Sequence, residues 1–178
     1  MKKVILINTI LIFALCFLTH FLYTWLPNPV FSIIFPVNES IWEHMKMIYS
    51  TFLIYGILEY FILKLFRIKH NNFFISIFIK SVIAIPIYLA IYLPLYYNFG
   101  ENMLITFIIL FLTILLVNYI GYKIQKSDTI KYQKLISIIG IIIGYIIFGI
   151  LTYNTPHNEL FFDTNEEKYG INDYLIKD

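Results

Sequence analysis

The chain of 178 residues is 60% hydrophobic and only 13% charged, with a mean hydropathy of +0.77 and a formal net charge of +2. A water-soluble domain carries about 25% charged and about 45–50% apolar residues, so this set excludes a soluble domain, a disordered chain and a nucleic-acid-binding domain. A single cysteine, Cys16, excludes a disulfide scaffold.

A helix that crosses a hydrocarbon core of about 30 Å needs about 20 mainly apolar residues. Five stretches meet that length or nearly so: 4–26, 40–64, 73–97, 102–122 and 135–153. The first follows Lys2 and Lys3 and contains one strongly polar group, His20. Its apolar run outlasts the roughly 7–15 residues of a signal-peptide core and meets no small-residue cleavage pattern, so it reads as a retained helix. The second begins with two polar turns. The third includes Lys80, Pro86 and Pro94, and the fifth carries Gly140 and Gly144 in a G-x-x-x-G pattern. The expected architecture is an all-α, five-helix integral membrane bundle over residues 1–153. An acidic tail, 154–178, folds over one face.

Charge placement gives an orientation. Nine of the 13 Lys and Arg lie at alternate helix ends: Lys2, Lys3, Lys64, Arg67, Lys69, Lys123, Lys126, Lys131 and Lys134. The other ends, near 27–39 and 98–102, hold none. Glu39, Glu101, Glu159, Asp163, Glu166, Glu167, Asp173 and Asp178 gather on that second side. The positive-inside rule then puts the N-terminus in the cytoplasm and the C-terminus outside, in a cell membrane. Trp25 and Trp42 flank the first outer loop as interfacial aromatics.

Two segments on the outer side are chemically dense. One is Pro36-Val37-Asn38-Glu39-Ser40-Ile41-Trp42-Glu43-His44-Met45-Lys46. The other is Pro156-His157-Asn158-Glu159-Leu160-Phe161-Phe162-Asp163, followed by Tyr169-Gly170-Ile171. The string PVNESIWEHMK, with the later P-H-x-x-L-F-x-D and Y-G-I, resembles a family of uncharacterised bacterial multi-pass membrane proteins, a domain of unknown function. That resemblance implies a small multi-pass protein across the whole chain. It marks Asn38, Glu39, Ser40, Trp42, Glu43, His44 and Lys46 as motif positions and implies no reaction.

Helix geometry suggests how these residues meet. At 100° per residue, Glu39, Glu43, Lys46 and Ser50 share a stripe, while His44 points about 100° from Glu43. His20 lies about 9 Å below the outer end of its helix, a depth similar to that of Lys46. Antiparallel neighbours would bring His20 beside Glu43, His44 and Lys46, with His157 and Asp163 laid above by the tail. Ionisable groups at membrane depth face a bundle interior and one another, so the expectation is an outward-opening polar pocket. A divalent metal such as zinc, held by His20, Glu43, His44 and His157, is the sharpest use of that pocket. No short ligand motif of the H-E-x-x-H kind supports it. A plainer explanation covers part of the motif: Ser40-x-x-Glu43 is a capping box, and Glu43 with Lys46 is an i,i+3 pair.

On the inner side Glu59 and Lys80, at depths of roughly 8 and 10 Å, are expected to pair across adjacent helices. The Gly140/Gly144 face should let a helix approach closely, within the bundle or in a homodimer. The basic inner loops would attract anionic membrane lipids. The expected function is binding of a small molecule or lipid headgroup, with metal-dependent hydrolysis as its catalytic form. The alternatives are a non-catalytic accessory or partner subunit of a membrane complex and, third, a small transporter. An enzyme or metal protein brings His44 and two more of the candidates to one point. A transporter carries a cavity past the midplane to Glu59 or Lys80.

Overall fold

The computed structural model describes residues 2–68, 70–171 and 173–174, the last two by their backbone pairing. Lys69, Lys177 and Asp178, and the side chain of Asp173, fall outside the described residues. Five helices are long and apolar enough to cross a membrane: α1 (Lys2–Trp25), α3 (Ile41–Leu65), α4 (Phe73–Phe99), α5 (Met103–Lys126) and α6 (Gln133–Tyr153). The chain is an all-α membrane bundle. Because the connections are short, successive long helices run antiparallel. Every acidic loop therefore falls at one end and the basic segments at the other.

α3 is the central helix. It packs against α1 and α4, and α5 closes the ring by contacting both α1 and α4. Met45, Ile48, Tyr49 and Phe52 of α3 are among the most buried side chains and form the core with Ile12, Ile114 and Val117. α6 lies outside this ring, against α4 and the short helix α2. Its remaining surface is a continuous isoleucine face: Ile138, Ile139, Ile142, Ile143, Ile146 and Ile150 are all exposed. Lipid supplies no hydrophobic drive between helices, so close backbone approach has to do that work. A Cβ on Gly140 would run into the Phe78 ring, and one on Gly144 into the Tyr49 hydroxyl. At Gly140 and Gly144 α6 is thus packed closely on α4 and α3 of the same chain.

Residues 27–39, expected as a plain loop, contain a further helix, α2 (Pro29–Ile34). Asn28 caps it by accepting from the amides of Val30 and Phe31, and Pro29 supplies a pre-set φ in its first turn. The helix dips into the bundle: Ser32 and Phe35 are buried between α3 and α6. Six residues are too few to register as a hydropathy span, which is why composition does not reveal α2.

At the basic end, Asn72 takes a left-handed conformation (φ 50) that asparagine tolerates. Its side chain donates to the carbonyls of Ile124 and Asp128 and accepts from the Ile130 amide, fastening the start of α4 to the end of α5. Nearby, Lys80 Nζ lies 4.0 Å from Glu59 Oε2 and 3.4 Å from Asn118 Oδ1. Glu59 Oε1 accepts from Asn8, whose own carbonyl oxygen accepts from the Tyr55 hydroxyl. Asn118 in turn donates to Thr9. This network ties α1, α3, α4 and α5 together below the core.

Beyond α6 the tail forms one 3₁₀ turn (Glu159–Phe161) and a small antiparallel sheet of order β1 (Phe162–Asp163), β2 (Lys168–Tyr169), β3 (Asp173–Tyr174). Phe161 is buried against Trp42 of α3, with ring centroids 4.9 Å apart. Trp42, half-buried, therefore lies beneath the tail.

Candidate functional site

Glu43 and His44 are consecutive on α3, and the helical turn between them sends them into two separate polar clusters. The first is closed. Glu43 and Lys46 are both buried, with Lys46 Nζ 2.5 Å from Glu43 Oε2. Lys46 also donates to the Ser32 carbonyl at 2.7 Å and to Thr152 Oγ1 at 2.8 Å. The need for the lysine is local. The carbonyl of Ser32, at the C-terminal end of α2, would look to the amide of residue 36, and Pro36 has none. A cation at the end of a helix also complements its dipole. Glu43 Oε2 accepts from the Val37 amide at 2.9 Å, and Ser50 Oγ donates to the Ile34 carbonyl at 2.6 Å. Every one of these groups is partnered, and together they staple α2, α3 and α6.

The capping box is half formed. Ser40 Oγ accepts from the Glu43 amide at 3.3 Å. The reciprocal bond is absent because Glu43 is committed to Val37 and Lys46, and Ser40 donates its amide to Asn38 Oδ1 instead.

The second cluster is open. His20 of α1 and His44 of α3 face each other with Nε2 atoms 3.1 Å apart. Glu39 Oε2 stands 3.3 Å from the first nitrogen and 3.5 Å from the second. The three residues are positioned from three elements. His44 is held by its other nitrogen: Nδ1 lies 2.8 Å from the Ser40 carbonyl, which can only accept, so Nδ1 carries the proton and Nε2 presents a lone pair. His20 Nδ1 is buried and has no hydrogen-bond partner among the described residues. Glu39 lies before the first turn of α3. The hydrogen bond from His20 holds its carboxyl below the ordinary carboxylate range, burial opposes that, and the nearby His44 and His20 rings add to the lowering.

The tail fixes the backbone that carries Glu39. Asp163, fully buried, accepts the Glu39 amide on Oδ2 at 2.9 Å and the amides of Asn165 and Glu166 on Oδ1. Asn38 Nδ2 donates to the Gly170 carbonyl at 2.8 Å. Gly170 has φ +56, and a Cβ there would lie 2.5 Å from the Thr152 carbonyl, so the Tyr169-Gly170-Ile171 turn requires glycine.

Of the four residues expected to hold a metal, His20 and His44 come together, and their carboxylate partner is Glu39. Glu43 is drawn away by Lys46. His157 stacks on Tyr169 at a centroid distance of 4.4 Å, within the tail. Asp163 acts on Glu39 through the backbone. Residues with no place in the sequence argument include Ser32 and Thr152, which complete the closed cluster. A lone threonine in an isoleucine-rich helix was the available signal for Thr152.

The open cluster lies at the rim of a cavity of about 340 Å³ between α1, α3 and α5. Its polar end carries His20, Glu39, His44 and Glu101; its depth is lined by Cys16, Met47, Ile48 and Leu110. Neither Glu59 nor Lys80 lines it. No curated protein and no solved structure matches the chain. The matching family model spans residues 1–171, and so takes in both polar clusters and the part of the tail that clamps Glu39: the chain belongs to the family of unknown function DUF6512.

Proposed function

We propose that this protein holds a divalent cation, zinc by its donor set, on His20 Nε2, His44 Nε2 and Glu39 Oε2, and uses it for hydrolysis at the mouth of the cavity. The observation that carries this proposal is the triangle of 3.1, 3.3 and 3.5 Å formed by those atoms. Ligand atoms around a tetrahedral zinc with bonds of about 2.0–2.1 Å stand about 3.3–3.4 Å apart. A point about 2.1 Å from all three atoms lies less than about 1 Å off their plane, which leaves a fourth position open. Two histidines, one carboxylate and an open position make up the donor set of catalytic zinc sites, where bound water is acidified to a pKa of about 7.

The cavity supports a ligand site over a transport path, because it ends at Cys16 and Leu110 and does not continue to the Glu59–Lys80 network. We further propose that the basic end faces the cytoplasm and the Glu39 loop the outside of the cell membrane, as the segregation of Lys and Arg favours.

Metal analysis of the purified full-length protein tests the centre. The expected result is about one zinc per chain in the wild type and background levels in His20→Ala and His44→Ala, with helical content unchanged. His157→Ala is expected to keep the metal. A wild type without bound zinc after zinc loading, or histidine variants that retain it in full, would overturn the proposal.

A further inference from the structure

We propose, building on the metal centre above, that the ligand is a single-chain amphiphile with a neutral carbonyl head, an acyl ester or amide, which enters from the bilayer between α1 and α5. Three observations lead there. The cavity has two kinds of mouth. At its polar end Glu39 and Glu101 are exposed, whereas along the seam of α1 and α5 its rim is Phe17, Phe21 and Met103, themselves 42%, 45% and 70% exposed on the apolar belt. A water-soluble ligand needs no gap of that kind, and a membrane-dissolved one does.

The volume limits the tail. At about 340 Å³ the cavity is near the lower end of the roughly 300–1,000 Å³ range of small-molecule sites, room for one chain rather than two. Counted along α5 from Met103 to Leu110, it runs for about 10 Å at 1.5 Å per residue.

Charge selects the head. A divalent cation beside Glu39 and Glu101, with both histidines neutral, leaves the polar end without net charge. An anionic head would meet the exposed Glu101 carboxylate at the rim, whereas a neutral carbonyl head meets no such repulsion. Hydrolysis of such a molecule breaks the bond from the acyl carbon to its ester oxygen or amide nitrogen. Water supplies hydroxide to the acyl carbon and a proton to the departing group, and no oxidant or further reactant is required.

The test uses zinc-loaded full-length protein in lipid nanodiscs, with a long-chain methyl ketone, a neutral carbonyl head that cannot be hydrolysed, bearing a diazirine at the tail end as a photolabel. Labelling is expected at Cys16, Phe107 and Leu110, about tenfold above the lipid-facing Ile138 and Ile142 of α6, equivalent to about 1.4 kcal/mol of preference. Two cavity-filling variants, Leu110→Phe and Cys16→Phe, should each abolish that preference while keeping zinc, and retained zinc shows that they fold. A fatty acid with the same tail label should give weaker labelling at the three sites. Uniform labelling over the belt, or site labelling that survives both filling variants, would overturn the amphiphile even with zinc bound. Site labelling in a protein that binds no zinc would overturn the metal centre and leave the tail cavity standing. Fatty acid labelling as strong as that of the ketone would overturn the neutral head.

Discussion

Glu43 and His44 differ by one residue and belong to opposite kinds of polar cluster. Around Glu43 each donor meets an acceptor: Lys46 serves Glu43, the Ser32 carbonyl and Thr152, and Val37 returns an amide to the carboxylate. Around His44 the nitrogen of a second histidine and a carboxylate oxygen converge with it on one point. Both clusters consist of ionisable residues in a membrane protein, so burial alone does not separate structure from function. What separates them is closure. A cluster that completes its own hydrogen bonds fixes helices, and one that gathers electron-pair donors and opens on a cavity is the one on which the proposed metal site rests.

The largest effect should come from breaking the closed cluster. Lys46→Met leaves Glu43 as an uncompensated buried charge and the Ser32 carbonyl without its donor. The expected loss is about 3–5 kcal/mol of stability, read as a large fall in thermal midpoint in detergent. Glu43→Gln/Lys46→Met, which removes both charges, should recover more than half of that loss. A single variant as stable as the wild type would erase the distinction between the clusters.

How much of this was legible in the sequence divides along the same line. The five long helices follow from apolar run length, because a continuous run of about 20 apolar residues spans hydrocarbon as a helix, which satisfies its own backbone. The meeting of His20 and His44 is readable from depth, since antiparallel helices align equal depths. The carboxylate is not. Choosing between Glu39 and Glu43 depends on α2, whose need for a cation arises from Pro36 removing one amide, a tertiary event that hydropathy does not register. The capping-box pattern at Ser40-x-x-Glu43 pointed the same side chain to a third partner. Three local rules competed for Glu43, and the buried lysine prevailed because leaving it unpaired costs most. His157 shows the converse, a metal-type residue whose position depends on how a short tail sheet folds.

An intermediate effect should arise where the tail meets the open cluster. Asp163 touches neither histidine but holds the Glu39 amide and shapes the turn at Asn165 and Glu166. Asp163→Ala should lower zinc affinity by about 10–100-fold, as loss of an outer-shell partner does, while the melting transition of the helical bundle stays cooperative. Asp163→Asn retains a side-chain oxygen that can accept the Glu39 amide and should recover part of that loss. Titration with a zinc-buffered indicator measures both. Unchanged affinity in Asp163→Ala would mean that the tail merely covers the Glu39 loop.

The smallest effect carries the most diagnostic sign. His20 Nδ1 is buried with no hydrogen-bond partner among the described residues, and its Nε2 lies opposite the lone pair of His44. Without a cation, the bond from its Nε2 to the exposed Glu39 carboxylate is set against the cost of the unpartnered Nδ1. His20→Leu replaces the ring with a side chain that suits its apolar surroundings, among them Phe21 at a ring-centroid distance of 4.7 Å. It should therefore leave the zinc-free protein unchanged or raise its stability by up to about 1 kcal/mol, the behaviour of residues kept for function. In saturating zinc the order should reverse, because the wild type gains binding energy that the variant cannot. Melting each protein with and without zinc supplies all four values. If His20→Leu destabilises the zinc-free protein as severely as Lys46→Met does, then His20 is a structural member of the bundle and the two clusters are of one kind.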